Sequence, residues 1–111
     1  MTMEIKEAND LVSFIFQGRL DAVTSEGVEA DIMQAITEGG RYLYNLASLE
    51  YISSAGLRVL LATSKEIQRK QGRFVMCAPN PNVRNILNIS GFASIFHMAD
   101  TVEEGQRLLA A

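Results

Sequence analysis

The strand, loop and helix between residues 42 and 67 constrain the fold more than any other part of the chain. Residues 42–47 form an apolar run that is typical of a buried strand. After a short loop, apolar and small residues recur at the spacing of one helical face, and Arg58 falls outside that stripe. Two adjacent serines, Ser53 and Ser54, stand where the helix begins.

A pair of hydroxyl groups at a helix start can serve several roles. The first backbone N–H groups of a helix lack partners within the helix and carry a partial positive charge. Serine is a preferred N-cap for these groups, and an anion or a phosphoryl group on a hydroxyl is also stabilised there. From the residues alone, Ser53 and Ser54 could both be helix caps and nothing more.

Apolar patterns predict the other elements of the fold. Runs typical of strands occupy residues 3–6, 11–17, 42–47, 74–77 and 95–96. Helical spacing occupies residues 24–38, the stretch from the serines to Gly72, residues 81–89 and the segment after residue 101. Asn9 and Asp10 indicate a turn between the first two strands. Asn80 followed by proline indicates the N-cap of the third helix.

The order of these elements predicts the fold class. Two strand–helix–strand units follow the hairpin, and right-handed crossovers favour parallel neighbouring strands with helices packed on the sheet. We therefore expect a single α/β domain over residues 1–111, with a mixed four- to five-stranded sheet and about four helices. Sites in such sheets lie beyond the carboxyl ends of the parallel strands. The segments expected to converge there are residues 18–21, 48–54 and 78–80.

Composition excludes several classes of function. Ten basic and thirteen acidic side chains give 10 − 13 = −3, which argues against a nucleic-acid partner because phosphate binding needs a basic surface. The apolar runs are far shorter than a membrane span, and the first residues lack a secretory signal pattern, so we expect a cytoplasmic protein without a membrane partner. The single cysteine, Cys77, excludes an internal disulfide and a cysteine-based zinc site.

No catalytic arrangement accompanies the serines. The hydrolase turn Gly-x-Ser-x-Gly is absent, because Ile52 stands two residues before Ser54. His97 is the only histidine and lies far along the chain, and neither a glycine-rich phosphate loop nor a metal-ligand cluster stands out. We therefore expect no enzyme activity, no catalytic residue, no metal and no cofactor, and we interpret Ser54 as a substrate of another enzyme.

Residues 51–57 resemble the signature of STAS domains, and specifically of the bacterial anti-sigma factor antagonists. In that signature a strand and a short loop lead into Asp-Ser-x-Gly-Leu at a helix start. The resemblance continues at residues 18–21 and 75–78, and it covers nearly the whole chain. The family's phosphoacceptor serine falls on Ser54, whereas its preceding aspartate falls on Ser53, which is a departure from the signature.

The resemblance implies a binding domain that is switched by phosphorylation. The implied partner is a serine-kinase anti-sigma factor, an ATPase of the histidine-kinase-like class. The unmodified domain would bind this kinase and free a sigma factor, phosphorylation of Ser54 would separate the two, and a metal-dependent serine phosphatase would restore the first state. A monomer or a weak dimer is expected. The implied partner-binding residues are Asp21, Ser53, Ser54, Gly56, Arg58 and Asn80.

Several individual roles stay open at the level of sequence. The resemblance divides the serines into Ser53 as the helix cap and Ser54 as the exposed hydroxyl. Asp21 either caps the following helix or meets the partner as a surface acid. Gly56 fits a helix turn that a partner must approach closely. A non-switching STAS scaffold within a lipid-transport or stress-signalling complex is the alternative function, because Ser53 and Asn45 both stand where the family has or often has aspartate.

Overall fold

The computed structural model describes residues 1–110, so the last residue of the predicted domain, residue 111, lies outside the described part of the chain. The strands are β1 (Thr2–Ala8), β2 (Leu11–Leu20), β3 (Arg41–Ile52), β4 (Arg73–Cys77) and β5 (Met98–Ala99). The helices are α1 (Ser25–Ala35), α2 (Ser54–Arg69), α3 (Pro81–Ile89) and α4 (Val102–Ala110), and a short 3-10 helix occupies Phe92–Ser94.

All five strands form one mixed sheet in the order β1-β2-β3-β4-β5. The first pair is antiparallel and joined by Asn9 and Asp10, whose φ values of 55° and 63° give the twist that a two-residue hairpin needs. Every later pair is parallel, with a helix in each crossover. The predicted α/β class, with a mixed sheet and four α-helices, is therefore confirmed for the described residues.

The main core lies between one face of the sheet and the first three helices. Alternation in β2 places Phe14 and Phe16 on this face, where both are fully buried against the ring of Tyr44. The Tyr44 hydroxyl is 2.7 Å from the Thr63 hydroxyl of α2, so this buried polar pair is satisfied. Burial raises the pKa of Tyr44 far above its usual value, which keeps the side chain neutral.

Helix α4 packs on the opposite face of the sheet. Its Leu109 joins Leu43, Val75 and Cys77 in a smaller apolar cluster. Gly105 allows this close packing, because a Cβ at that position would lie 2.7 Å from Leu43 Cδ1. Helix α4 covers β3, β4 and β5, which leaves the hairpin half of this face more open.

Several predicted boundaries were wrong. Strand β3 was expected to end at residue 47 and runs to Ile52, and β2 was expected to end at residue 17 and runs to Leu20. The pairing of these strands contains two register shifts, which break the alternation of buried and exposed residues while the strands stay paired. Ala47 and Ser48 are consecutive exposed residues at that irregularity, so the pattern in the sequence stops there.

Two further boundaries differ for tertiary reasons. Helix α1 ends at Ala35 and not at residue 38, because Ile36 turns to an extended conformation and buries its side chain. The N–H of Thr37 then donates to the hydroxyl of Tyr42 at 2.7 Å. The fifth strand is Met98–Ala99, whereas the predicted segment at residues 95–96 follows the 3-10 helix and does not pair in the sheet.

Candidate functional site

The three segments predicted to converge do meet at one edge of the sheet, which we call the serine edge. It consists of residues 18–21, 48–54 and 78–80. The N–H of Ser53 donates to the carbonyl of Leu20 at 2.9 Å, which ties the end of β3 to the end of β2. Asn80 Nδ2 donates to the carbonyl of Leu49 at 3.0 Å, which ties the start of α3 to the same strand.

Ser53 is the N-cap of α2, as predicted. Its backbone is extended, with φ −92° and ψ 176°, and its Oγ accepts the N–H of Gly56 at 3.2 Å. The carbonyl of Ser53 accepts the first helical bond from Leu57. A serine hydroxyl therefore fills the capping position that the aspartate of the family signature would fill.

Ser54 follows as the first residue of α2, and its side chain is exposed. Its hydroxyl makes no hydrogen bond with the part of the chain that the structure describes. The first turn of α2 contains no acidic residue, so the partial positive charge of the helix start is not offset there. The hydroxyl is accessible to solvent, and a helix start favours a negative charge placed there.

A glycine is needed at position 56 for a different reason than the one expected from the sequence. It is buried, and a Cβ at this position would lie 2.7 Å from the carbonyl oxygen of Leu20 and 2.8 Å from Cγ1 of Ile52. The close approach is therefore made by the end of β2 within the same chain. This corrects the expectation that a partner requires the small residue, because the space beside Gly56 is already filled.

Asp21 caps the turn that precedes α1. Its Oδ1 accepts the backbone N–H groups of Val23 at 3.0 Å and Thr24 at 3.2 Å. These backbone hydrogen bonds, that of Thr24 foremost, hold the pKa of Asp21 below its usual value, so the carboxylate stays charged. Its Oδ2 lies 4.0 Å from Arg19, whose guanidinium stacks over the ring of Tyr51 at 4.3 Å.

The remaining predicted site residues divide by exposure. Arg58 lies one helical turn after Ser54 on the same side of α2, is exposed, and forms no salt bridge within residues 1–110. Asn80 is partly buried and uses both ends of its amide, because its Oδ1 also accepts the N–H of Val83 at 2.7 Å. Asn80 therefore supports the serine edge from within, while Arg58 is available at its surface.

A groove of about 400 Å³ adjoins Ser54 between the starts of α1 and α2. It is lined by Ala22, Ser25, Glu26, Glu29, Ala55, Arg58 and Val59. Glu26, Glu29 and the exposed Val23 nearby were not predicted as site residues, because no local sequence pattern distinguishes them from other surface residues. A second cavity of about 440 Å³ lies under α4 on the opposite face and contains none of the predicted site residues.

The other groups considered as chemical candidates are not exposed at the serine edge: Cys77 directly precedes residues 78–80, but its side chain is buried in the cluster under α4. Cys77 is fully buried, and desolvation raises the pKa of its thiol to about 11, so it is not a nucleophile at neutral pH. The ring of His97 packs 5.3 Å from the ring of Phe74 on β4. Among residues 1–110, no helix combines the length and the apolar composition that a membrane crossing requires.

Removal of the Ser53 hydroxyl is expected to lower the free energy of unfolding by about 1 kcal/mol, because Ser53→Ala leaves the N–H of Gly56 without its capping oxygen. Ser53→Asp is expected to be tolerated, since a carboxylate both caps and complements the positive helix end. Urea denaturation of both variants measures these effects. A neutral alanine variant together with a damaging aspartate variant would show that the cap does not contribute as assigned.

Known sequences identify the family. The family model described as the STAS domain matches residues 2–105. BtrV of Bordetella bronchiseptica, which is named as a candidate anti-sigma factor antagonist, is 36% identical over 104 residues. That match covers 93% of this chain and 90% of BtrV.

Solved structures share the fold. An anti-sigma factor antagonist from Mycobacterium paratuberculosis superimposes with a TM-score of 0.89 at 21% identity, over 99% of this chain and 94% of that one. The anti-sigma factor antagonist SpoIIAA in its unphosphorylated form gives 0.75 at 26% identity, over 93% and 90%. The phosphorylated form of SpoIIAA, a Bacillus cell fate determinant, gives 0.71 at 24% identity, over 93% and 94%. With its α/β fold, its serine edge and these matches, this chain belongs to the STAS domain family, among relatives named anti-sigma factor antagonists.

Proposed function

We propose that this domain is an anti-sigma factor antagonist that phosphorylation of Ser54 switches off. In the unmodified state it binds a serine-kinase anti-sigma factor of the histidine-kinase-like ATPase class and so frees a sigma factor. The kinase transfers a phosphoryl group from ATP to the Ser54 hydroxyl, and the complex separates. A metal-dependent serine phosphatase then returns the domain to its binding state.

The observation that carries this proposal is the state of the Ser54 hydroxyl. It is exposed, it makes no hydrogen bond with the described residues, and it stands at the start of a helix whose capping is done by its neighbour Ser53. Modification of Ser54 therefore disturbs no contact that supports the fold. The existence of solved unphosphorylated and phosphorylated forms of SpoIIAA supports the same type of modification in a relative.

Electrostatic repulsion explains why the phosphorylated state is the one that does not bind. A phosphoserine carries close to two negative charges at neutral pH, and the start of α2 tolerates them because no acidic residue lies in its first turn. A partner that seats an uncharged hydroxyl beside its own ATP phosphates repels the modified side chain. The domain consequently stays folded while the interface is lost.

The partner surface that we propose surrounds Ser54. Arg58 contributes an exposed cation one turn along α2, and Ser53, Asn80 and Asp21 hold the segments that surround the hydroxyl. Gly56 contributes indirectly, because it lets α2 begin against Leu20. We propose no catalytic group in this surface, since the Cys77 side chain is fully buried and the His97 ring packs against Phe74.

We also propose that residues 1–111 act as one folding unit in the cytoplasm, as a monomer or a weak dimer. A non-switching scaffold in a lipid-transport or stress-signalling complex is the second candidate function. It is favoured by Ser53 and Asn45, which stand where the family has or often has aspartate. The structure weakens the first of these arguments, because Ser53 performs the capping work of an aspartate. The Oδ1 of Asn45 accepts the N–H of Ala47 at 3.1 Å, a local hydrogen bond within β3.

A phosphorylation assay tests the proposal. The purified domain is incubated with ATP, magnesium and each serine-kinase anti-sigma factor of the source genome, and intact mass is measured. We expect one phosphoryl group on the wild type and on Ser53→Ala, and none on Ser54→Ala. The Ser53 variant is the matched control, since it removes the neighbouring hydroxyl at the same helix start. If no kinase modifies the wild type at Ser54, the switch is refuted and the scaffold function is favoured.

A further inference from the structure

The turn between β2 and α1 presents the most exposed of the large apolar side chains in the described part of the chain. Val23 is 90% exposed, compared with 77% for Ile89 and 53% for Ile95. A single exposed apolar side chain is common on protein surfaces and by itself needs no explanation. Val23 differs from the other two by the way in which its backbone is held.

A dense set of hydrogen bonds holds this turn. Asp21 Oδ1 accepts the N–H groups of both Val23 and Thr24, and the N–H of Asp21 donates to Thr24 Oγ1 at 3.0 Å. The carbonyl of Asp21 accepts the N–H of Ser25 at 2.9 Å and also its hydroxyl. A β-branched side chain on such a backbone has few conformations to lose when it is buried by a partner.

The turn also belongs to the surface around Ser54. Ala22 and Ser25, on either side of Val23, line the groove whose other wall contains Ala55, the residue after Ser54. The hydrogen bond from the N–H of Ser53 to Leu20 joins the strand end before the turn directly to the start of α2. Val23 therefore lies in the segment that forms one wall of the groove next to Ser54, whereas Ile89 is the last residue of α3.

We propose that Val23 is the apolar anchor of the interface, entering an apolar pocket of the serine-kinase anti-sigma factor, and that Asp21 is its positioning residue. This inference rests on the proposed function, since it names a contact with the same partner. Asp21 was considered either as a cap or as a partner-binding acid. In this proposal its carboxylate caps the turn and affects the partner only through the position of Val23. An apolar side chain on a backbone that is already held in place loses little conformational freedom when a partner buries it, which favours binding.

Titration calorimetry against the kinase that phosphorylates Ser54, with ADP bound, tests the anchor. Each buried methylene accounts for about a fourfold change in affinity, so Val23→Ala is expected to weaken binding by more than about tenfold. Ile89→Ala is the matched control and is expected to leave the affinity within about twofold. Both side chains are exposed, so circular dichroism and thermal melting are expected to match the wild type.

Two substitutions of Asp21 separate positioning from direct charge contact. Asp21→Asn keeps an oxygen that accepts from Val23 and Thr24, so it is expected to stay within about threefold of the wild-type affinity. Asp21→Ala removes that acceptor and is expected to weaken binding by about tenfold. Equal losses for the two variants would refute the positioning role, because the charge itself would then be required.

The outcomes distinguish this inference from the function on which it rests. Wild-type affinity for Val23→Ala, with binding lost in Ser54→Asp, would overturn the anchor and leave the switch in place. A loss in Ile89→Ala equal to that in Val23→Ala would also overturn it, since the effect would not depend on the turn. If no kinase of this class binds the unmodified wild type, the proposed function and the anchor both fail.

Discussion

Ser54→Asp is expected to fold as the wild type does and to bind the serine-kinase anti-sigma factor at least about a hundredfold more weakly. The fold is expected to survive because Ser54 is the exposed first residue of α2, where a carboxylate lies at the positive end of a helix. Binding is expected to fail because an unpaired charge would be desolvated at the centre of the contact, beside the phosphates of the kinase-bound nucleotide.

Ser54→Ala provides the matched comparison. It removes the phosphoacceptor without adding charge, and because the hydroxyl makes no bond within residues 1–110, affinity is expected to stay within about twofold of the wild type. Titration calorimetry measures both variants, and circular dichroism verifies that they are folded. Equal affinities for the alanine and aspartate variants would contradict the switch. The enzymatically phosphorylated wild type gives the same test without any substitution.

Gly56→Ala is expected to lower the free energy of unfolding by about 2 kcal/mol. The added Cβ would lie 2.7 Å from a backbone carbonyl, that of Leu20, and 2.8 Å from Ile52, so relief requires α2 to move away from the sheet. Alanine is the better helix former by about 1 kcal/mol, which offsets part of the cost of the clash. A loss of this size is a large fraction of the stability of a small domain.

Gly27→Ala is the control for that substitution. Gly27 lies in α1, has no positive φ, and a Cβ there would meet no atom within 4 Å, so the same change is expected to stabilise the protein by about 0.5–1 kcal/mol. Urea denaturation measures both variants under one set of conditions. If Gly56→Ala is as stable as Gly27→Ala, the contact between α2 and Leu20 is loose and the assigned role of Gly56 is wrong.

The predictions for Ser54 and Gly56 both concern the start of α2. The start of α2 lies close to the end of β2 because Gly56 has no side chain, and Ser53 completes the helix start by capping it. Ser54 is exposed, and its hydroxyl makes no hydrogen bond with the described residues. A domain can place a large charge at such a position and lose a partner while its core stays intact, which is the property that a phosphorylation switch requires.

Local interactions made part of this protein predictable from its sequence. The hairpin turn at Asn9 and Asp10, the cap by Ser53, and the start and end of α3 depend on residues within four positions of one another. Hydrophobic periodicity and the order of strands and helices then sufficed for the α/β class and for the convergence of three strand ends. The resemblance at residues 51–57 and the matches to STAS relatives agree with this order.

Contacts between distant residues decided the rest. The extension of β3 to Ile52 depends on irregular pairing with β2, and α1 ends early where Ile36 turns to an extended conformation and is buried in the core. Position 56 requires glycine because the carbonyl oxygen of Leu20 lies too close for a Cβ. Leu20 is thirty-six positions away (56 − 20), so no local sequence pattern predicts this requirement. The exposure of Val23 and the hydrogen bond that holds its backbone are likewise visible only in the structure, because both are properties of the folded chain and not of residue order.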